Sequence, residues 1–357
     1  MRAFRNTLII LAIFLIIATI LPFITLEEWF IRIFDFPRIQ IFVLSLIVLI
    51  AIFFFIKKKD LIYKTIFPIL ILTITFQVYN ILPYTPLVEI TVPKSTSPKS
   101  NSSLSLLVAN VYMHNNNYGE LIDLVNEYKP DLLLTLETDI IWENKLKNLE
   151  KQYQYSIKIP KDNTYGMHLY SKLPLSDTEI KYWLDRDIPS IKTIVQLPSG
   201  EKVLLYGLHP KPPVPTEEED SRMRDAEIII VANRVAKAKH PAIVAGDFND
   251  VAWSSTTKLF QQVSGLSDPR IGRGMFNTYH AKNPLFRWPL DHVFHSGQFK
   301  IIAIERLPSI DSDHFPIYIN LSYEPSIDNR PEKVNKETKK LETQTIEEGV
   351  KEAKESN

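Results

Sequence analysis

Cysteine is absent from the 357 residues, so this chain has no disulfide, thiolate metal site or cysteine nucleophile. Net charge is absent too: 41 Lys and Arg balance 41 Asp and Glu, and the average points to no partner. No Lys/Arg-rich cluster with interleaved aromatics and no internal repeat is evident. Over residues 101–325 acidic side chains exceed basic ones by about four, whereas a non-specific nuclease draws most of its affinity from a basic groove. Arg222, Arg224 and Arg234 share one helical stretch and are balanced by Asp225 and Glu227. A small-residue cleavage site is missing after the first apolar run, which argues against a removed signal peptide.

Apolar residues crowd the first 90 positions instead. Three runs stand out: TLIILAIFLIIATILPFIT (7–25), IFVLSLIVLIAIFFFI (41–56) and TIFPILILTITFQVYNIL (65–82). Each approaches the roughly 20 residues that a helix needs to cross a bilayer, the second once Ile39 and Gln40 are included. Three uncharged runs in succession predict three transmembrane helices (about 7–25, 39–56 and 65–82) rather than buried core helices, with Pro22 and Pro68 tolerated. Arg2 and Arg5 precede the first run, and Lys57, Lys58, Lys59 and Lys64 separate the second from the third. The positive-inside rule then predicts a multi-pass inner (plasma) membrane protein, with everything after residue 83 on the outer or periplasmic face. Residues 84–103, rich in Pro and Ser, read as an extended linker. Residues 326–357, charged and almost without large apolar side chains, are expected to be disordered or a frayed solvated helix.

Between linker and tail, residues 104–325 alternate strand-like and helix-like patterns. Strands are predicted at 104–112, 131–138, 167–173, 190–197, 202–209, 241–248, 290–296, 299–307 and 314–322. Helices are predicted at 118–128, between Glu217 and Lys239, and near Ser255–Val263. Many strands and few helices predict an α/β fold with two stacked sheets and helices outside. Polar residues gather at strand ends. Asn110, Glu137, His209, Asp247 and Asn249 close or follow strands, Asp291 opens one, and Asp313 and His314 precede the last. An apolar strand anchored in a sheet holds such a group rigidly.

These positions carry ordered motifs: VANV with Asn110, LLLTLET with Glu137, GLHP with His209, GDFND with Asp247 and Asn249, LDHVF with Asp291, and SDHFPI with Asp313 and His314. In that order, over about 104–322, they resemble the endonuclease/exonuclease/phosphatase superfamily, which includes pancreatic deoxyribonuclease, apurinic endonucleases, inositol polyphosphate 5-phosphatases and neutral sphingomyelinases. With its apolar N-terminus and DFPR loop, the chain looks like a bacterial membrane-anchored branch. The resemblance implies a four-layer sandwich with two central mixed β-sheets, and hydrolysis of phosphate esters dependent on Mg²⁺ or Mn²⁺. It implies Glu137 as the main metal ligand, with Asn110 and Asp313 completing or orienting the shell. Asp247 would activate the attacking water, and Asn249 would hydrogen-bond the phosphate. His209 and His314 would face that phosphate from two sides, with Asp291 orienting His314 and favouring its protonated form. The extra acidic or tyrosine partner found in several relatives has no match in residues 150–190, and His168 stands where a small apolar residue is usual.

Each residue also has a structural reading. Asn110 in an apolar strand can be a satisfied amide, and Glu137 can cap a helix that Thr138 and Asp139 also suit. Asp250 is expected to make a turn or cap, His292 to point away from Asp291 across its strand, and His114 to stay out of the cleft. His168, His240, His280 and His295 are expected to be ordinary surface or core residues. The functional expectation is a membrane-anchored phosphodiesterase, with the lipid bilayer and a phospholipid or nucleic-acid phosphate ester as partners and no protein partner. Alternatives are an envelope nuclease acting on DNA and a non-catalytic tethered binding module; intact Glu137, Asp247, Asn249 and His314 argue against the latter. Residues 150–165, 210–222 and 264–289 carry no interpretable motif.

Overall fold

The structure, a computed structural model, describes residues 2–24, 27–57, 60–96, 98–325 and 334–355. Four helices open the chain: α1 (Arg2–Ile20), α2 (Trp29–Arg32), α3 (Arg38–Phe55) and α4 (Leu61–Ile81). With their short extensions, Arg2–Phe23, Arg38–Phe55 and Leu61–Tyr84 are three helices long and apolar enough to cross a membrane. They pack through Leu8, Ala12, Leu15 and Ala18 of α1 against Ile41, Val48 and Ile52 of α3 and Leu70 of α4. Small residues such as Ala12, Ala18 and Ser45 let the backbones approach. The outward faces stay bare: Ile10, Phe54 and Leu72 are 68%, 72% and 67% exposed, an apolar surface of a kind water-soluble proteins avoid. Arg5 pairs with Asp60 at 2.7 Å, so the N-terminus and the turn before α4 share one end of the bundle. Lys58 and Lys59, used above for orientation, lie outside the described residues.

The strands that follow build two sheets. One has the order β10-β11-β1-β2-β4-β3 and contains β1 (Ser103–Asn110), β2 (Leu132–Leu136), β3 (Tyr155–Ile159), β4 (Met167–Ser171), β10 (Phe299–Arg306) and β11 (Ile317–Tyr323). The other runs β5-β6-β7-β8-β9, from β5 (Leu175–Lys181), β6 (Ser190–Gln196), β7 (Lys202–Leu208), β8 (Ala242–Asp247) and β9 (Asp291–His295). Side chains alternate across each strand, which sorts the core into layers. Leu104, Leu106 and Val108 face Val203, Leu205 and Ile243 between the sheets. Leu107 and Ala109 face outward onto α5 (Tyr118–Tyr128) and α6 (Ile140–Leu146), through Leu121, Val125 and Trp142. Leu204, Tyr206 and Leu208 face α7 (Arg222–Ala236) and α8 (Ser255–Ser264) through Ile228, Ile229 and Phe260. Both sheets mix parallel and antiparallel pairs. The parallel pairs β1–β2 and β7–β8 stand near the middle of each, and their carboxyl ends open at one edge of the sandwich, where such folds bind ligands.

Two expectations change. The described linker residues are not a free tether: Val92 is buried in the inter-sheet core, Ser95 N donates to Ile301 O at 2.9 Å, Gly272 N donates to Pro83 O at 2.9 Å, and Ser100–Ser102 forms a short helical turn before β1. Alternating apolar residues in a Pro-rich stretch still find an edge to lie on. The tail was expected to be disordered or frayed, yet Lys336–Glu355 forms a helix, α9, packed on α7 and α8. Its Ile346 packs on the core beneath α7 and α8, and most of the helix's other contacts are polar or small. Asn233 bonds Glu342, Arg222 Nη1 pairs with Glu352 at 2.9 Å, and Gly349 sits against the α7 backbone. Residues 326–333 and 356–357 of that tail lie outside the described residues. Two strands escaped the sequence reading: β5 is largely exposed and polar, and β3 is a half-buried edge strand of only five residues.

Candidate active site

The polar strand ends meet. Asn110 closes β1, and its Nδ2 donates to Glu137 Oε1 at 2.8 Å and to Asp247 Oδ2 at 3.2 Å, bridging the two sheets. Glu137 follows β2 at φ 60°, a left-handed conformation that only a constraining environment maintains. Its Oε2 accepts Met113 N at 3.3 Å. Asp139, not Glu137, caps α6, its carboxylate accepting Trp142 N. Asp247 ends β8 next to Gly246, which has φ 140°; a Cβ there would fall 2.0 Å from Leu208 O, so glycine lets β7 and β8 close up and sets His209 beside Asp247. His314 Nδ1 lies 2.7 Å from Asp291 Oδ2, and its Nε2 lies 3.4 Å from Asp247 Oδ2. His209 Nε2 lies 3.9 Å from that same oxygen. Ser312 Oγ donates to Asn110 O at 2.8 Å and accepts His314 N at 3.0 Å, tying the SDH loop to β1. Asn249, at φ 50°, donates its side-chain N–H to Pro210 O at 2.9 Å.

Burial and charge divide these groups. Burial pushes Glu137 up to about 7, Asp313 adding to the shift and the Asn110 amide opposing it. At Asp247 burial also acts upward, but the His314 cation, with hydrogen bonds from Asn249 N and the Asn110 amide, outweighs it and keeps the carboxylate below its usual range. Burial lowers His209 to about 4 despite Asp247, so it is neutral. Burial works against the His314 cation as well, yet Asp291 and Asp247 more than offset it and bring His314 up to about 10. The site therefore holds one imidazolium, one neutral imidazole and several carboxylates.

Asp247, Asp291 and His314 each offer a ligand atom within 4.8 Å of the others. A protonated His314 has no lone pair to give, which makes that triad a poor cage. Glu137 fits a cation better. It is partly exposed, close to the acidic Asp313, and among the described residues no Lys or Arg pairs with it. Oxygen donors with room for several waters suit a hard divalent ion.

Some wall residues had no sequence signal. Tyr165 packs at a tilt against His209 with ring centres 5.2 Å apart and donates to Glu217 Oε2 at 2.9 Å; it lies within the stretch where the missing tyrosine or acidic partner was sought. Tyr279 lies 4.9 Å from the His314 ring. Arg224, read above as part of a balanced helix face, is buried and donates to Asn249 O at 2.8 Å. His292 is structural as expected, packed between Phe248 and Phe294 with Nε2 2.9 Å from Asp250 O. Asp250 makes a turn, accepting Val251 N at 2.9 Å and the hydroxyl of Ser254, which itself caps α8. His114, with Tyr112, Asn116, Lys282 and Asp311, lines a separate hollow of about 360 Å³ whose lining includes none of the converging strand-end residues.

A comparison with curated proteins found no match. Solved structures share the fold. The human Nocturnin catalytic domain with bound sulfate anion aligns at TM-score 0.51 and 18% identity, over 64% of this chain and 96% of that one. D. rerio TDP2 complexed with single strand DNA product aligns at TM-score 0.50 and 18% identity, over 62% and 99%. The sequence model of the Endonuclease/Exonuclease/phosphatase family matches residues 107–314, from within β1 to His314. Spanning more than half of the sequence and every polar strand end described above, that match makes this chain a member of the Endonuclease/Exonuclease/phosphatase family.

Proposed function

We propose that this chain is a membrane-anchored, divalent-metal-dependent phosphodiesterase that hydrolyses a phospholipid headgroup ester in the bilayer holding it. One observation carries the reading: the segment 279–288 touches the site at one end and α3 at the other. Tyr279 packs on His314, and Ala281 N donates to Asp313 O at 2.6 Å. Leu285 O accepts Gln40 Nε2 at 2.6 Å, and Trp288 meets Phe36 edge to face at 5.6 Å. Gln40 is the third residue of α3, so a bilayer crossed by α3 begins at the level of Leu285 and Phe286, which are 74% and 48% exposed. His314 then stands one short hairpin from the headgroups, where local concentration favours a lipid over a soluble ester.

Family members generally use divalent metal ions, and Glu137, Asp313 and Asn110 would hold Mg²⁺ or Mn²⁺, which supplies positive charge to phosphoryl oxygens. The chain's own groups do the remaining work. Asp247, kept ionised chiefly by the His314 cation, accepts the proton of the attacking water. His314 keeps its Nδ1 proton on Asp291 and turns its Nε2 proton toward a phosphoryl oxygen. Asn249 spends one amide proton on Pro210 O and has a second for the phosphate. His209, neutral, walls the opposite side with Tyr165. Arg2, Arg5, Lys57 and Lys64 crowd the bundle end away from the sandwich, which supports an outward-facing site.

The test uses the full chain in phosphatidylcholine and phosphatidylglycerol vesicles, beside single-stranded DNA and bis-(p-nitrophenyl) phosphate. Expected is headgroup release with Mg²⁺ or Mn²⁺ and none in EDTA. A Leu285→Asp/Phe286→Asp double variant should lose vesicle hydrolysis and keep the soluble diester. Cleavage of DNA alone would replace this reading with the envelope nuclease. A folded protein inert under every divalent metal would favour the binding module. A reporter fused after Asn357 should be active only when exported.

A further inference from the structure

We infer that the segment 27–38, leading into α3, is a positioning element for the loop 247–255, acting through Trp253 and Arg224. The inference rests on the proposed roles of Asp247 and Asn249 and goes beyond them. Asn249 adopts a left-handed conformation, which asparagine tolerates, and hydrogen bonds on both sides fix its position. Asn249 N donates to Asp247 Oδ1 at 2.9 Å, and Arg224 Nη1 donates to Asn249 O at 2.8 Å. Beyond Asn249 the loop is held by the N-terminal region. Tyr84 OH donates to Ala252 O at 2.7 Å, Trp253 Nε1 to Asp35 O at 2.7 Å, and Arg32 Nη1 to Ser255 Oγ at 3.4 Å. Trp253 is 1% exposed, packed with Tyr84, Phe36 and Ile39.

A second route runs through side chains. Arg32 Nε donates to Glu27 Oε2 at 2.9 Å, and Ser221 Oγ lies 2.7 Å from that oxygen and 2.8 Å from Asp225 Oδ2. Asp225 Oδ1 accepts Arg224 Nε at 2.8 Å and Nη2 at 2.7 Å, and Arg224 ends on Asn249 O. Removing one member of a buried ionic chain leaves the next uncompensated, so a change at Arg32 is felt at Arg224. Docking of the apolar helices and geometry at Asn249 are thereby linked over a sequence separation of more than 200 residues.

The experiment compares wild type, Arg32→Gln, Trp253→Phe and a control, Lys258→Gln, as full chains in detergent micelles. Lys258 Nζ also reaches the N-terminal helices, at Asn80 Oδ1, and the substitution leaves in place its bond to the loop, which runs from its backbone N to Ser254 O. Expected for Arg32→Gln and Trp253→Phe is a kcat on bis-(p-nitrophenyl) phosphate reduced roughly 10- to 100-fold, with KM within about twofold. In an Asn249→Ala background the Arg32→Gln loss should largely vanish, because both act on one group. Amide exchange should quicken across 247–255 and stay unchanged elsewhere in the sandwich. Equal losses in both backgrounds, or unchanged exchange in the loop, would overturn the inference. If wild type hydrolyses nothing, the functional reading fails and the exchange comparison still decides this one. Should Arg32→Gln not fold, Trp253→Phe, which keeps an aromatic six-membered ring and loses the Nε1 donor, carries the same measurements.

Discussion

Glu137 and Asp247 share the Asn110 amide yet titrate in opposite directions. With Glu137 raised to about 7, a proton must leave before a cation binds there. The Mg²⁺ concentration for half-maximal hydrolysis should therefore fall as pH rises from about 6 to about 8, then level off. Titrations at fixed pH steps check this, and Glu137→Gln should abolish the slope. The stability consequence has a definite sign. A carboxyl raised above its ordinary 4.5 stabilises the metal-free fold fully below 4.5 and loses that contribution as pH rises through 7. Glu137→Gln should thus raise the melting temperature of EDTA-treated protein at about pH 8 and leave it unchanged at about pH 4.5. At His314 the charge itself is functional in the proposed mechanism. His314→Gln should lower kcat about 10²- to 10⁴-fold, and Asp291→Asn, which keeps the shape of the pair, should lower kcat less and shift the alkaline limb of the pH–rate profile downward.

Among the elements, α9 is the one whose sequence pattern misleads. Lys, Glu and Thr dominate it, but Gly349 allows a close crossing: a Cβ there would lie 2.2 Å from Ala226 Cβ and 2.6 Å from Arg222 O. Gly349→Val should undock α9, lower the melting temperature by several degrees (about 1–3 kcal/mol for an overpacked contact) and leave kcat unaltered; thermal melts and assays on one preparation check both. Element existence was legible wherever apolar periodicity was strong. YGELIDLVNEY predicts α5 at its observed bounds, and STTKLFQQV predicts α8 within one residue. The hairpin 279–288 was illegible, because Tyr279 and Trp288 pair through backbone N–H and C=O groups that every residue carries.

For the molecule as a whole, buried histidines set the acid limit. Burial lowers His168 and His292 to about 3 and His209 and His295 to about 4. A depressed imidazole contributes stability that is complete above 6.5 and lost as pH falls toward the folded value, at about 1.4 kcal/mol per unit and group. The melting temperature of the full chain should drop steeply between about pH 6.5 and about pH 4, opposite in sign to the Glu137 contribution; a flat profile over that range would contradict the neutral, buried state of these rings.

The order of polar residues at strand ends, the two-sheet α/β character and the three long apolar helices could be read from the chain alone, since each is a local pattern of period two, period 3.6 or plain length. Convergence could not. Asn110 bridging Glu137 and Asp247, Arg224 turning inward to Asn249, and the linker and loop 27–38 lying on the sandwich instead of swinging free all join residues far apart in sequence. Such contacts depend on how layers stack and which charges are buried together, and packing of that kind leaves no mark on the neighbours of any single residue.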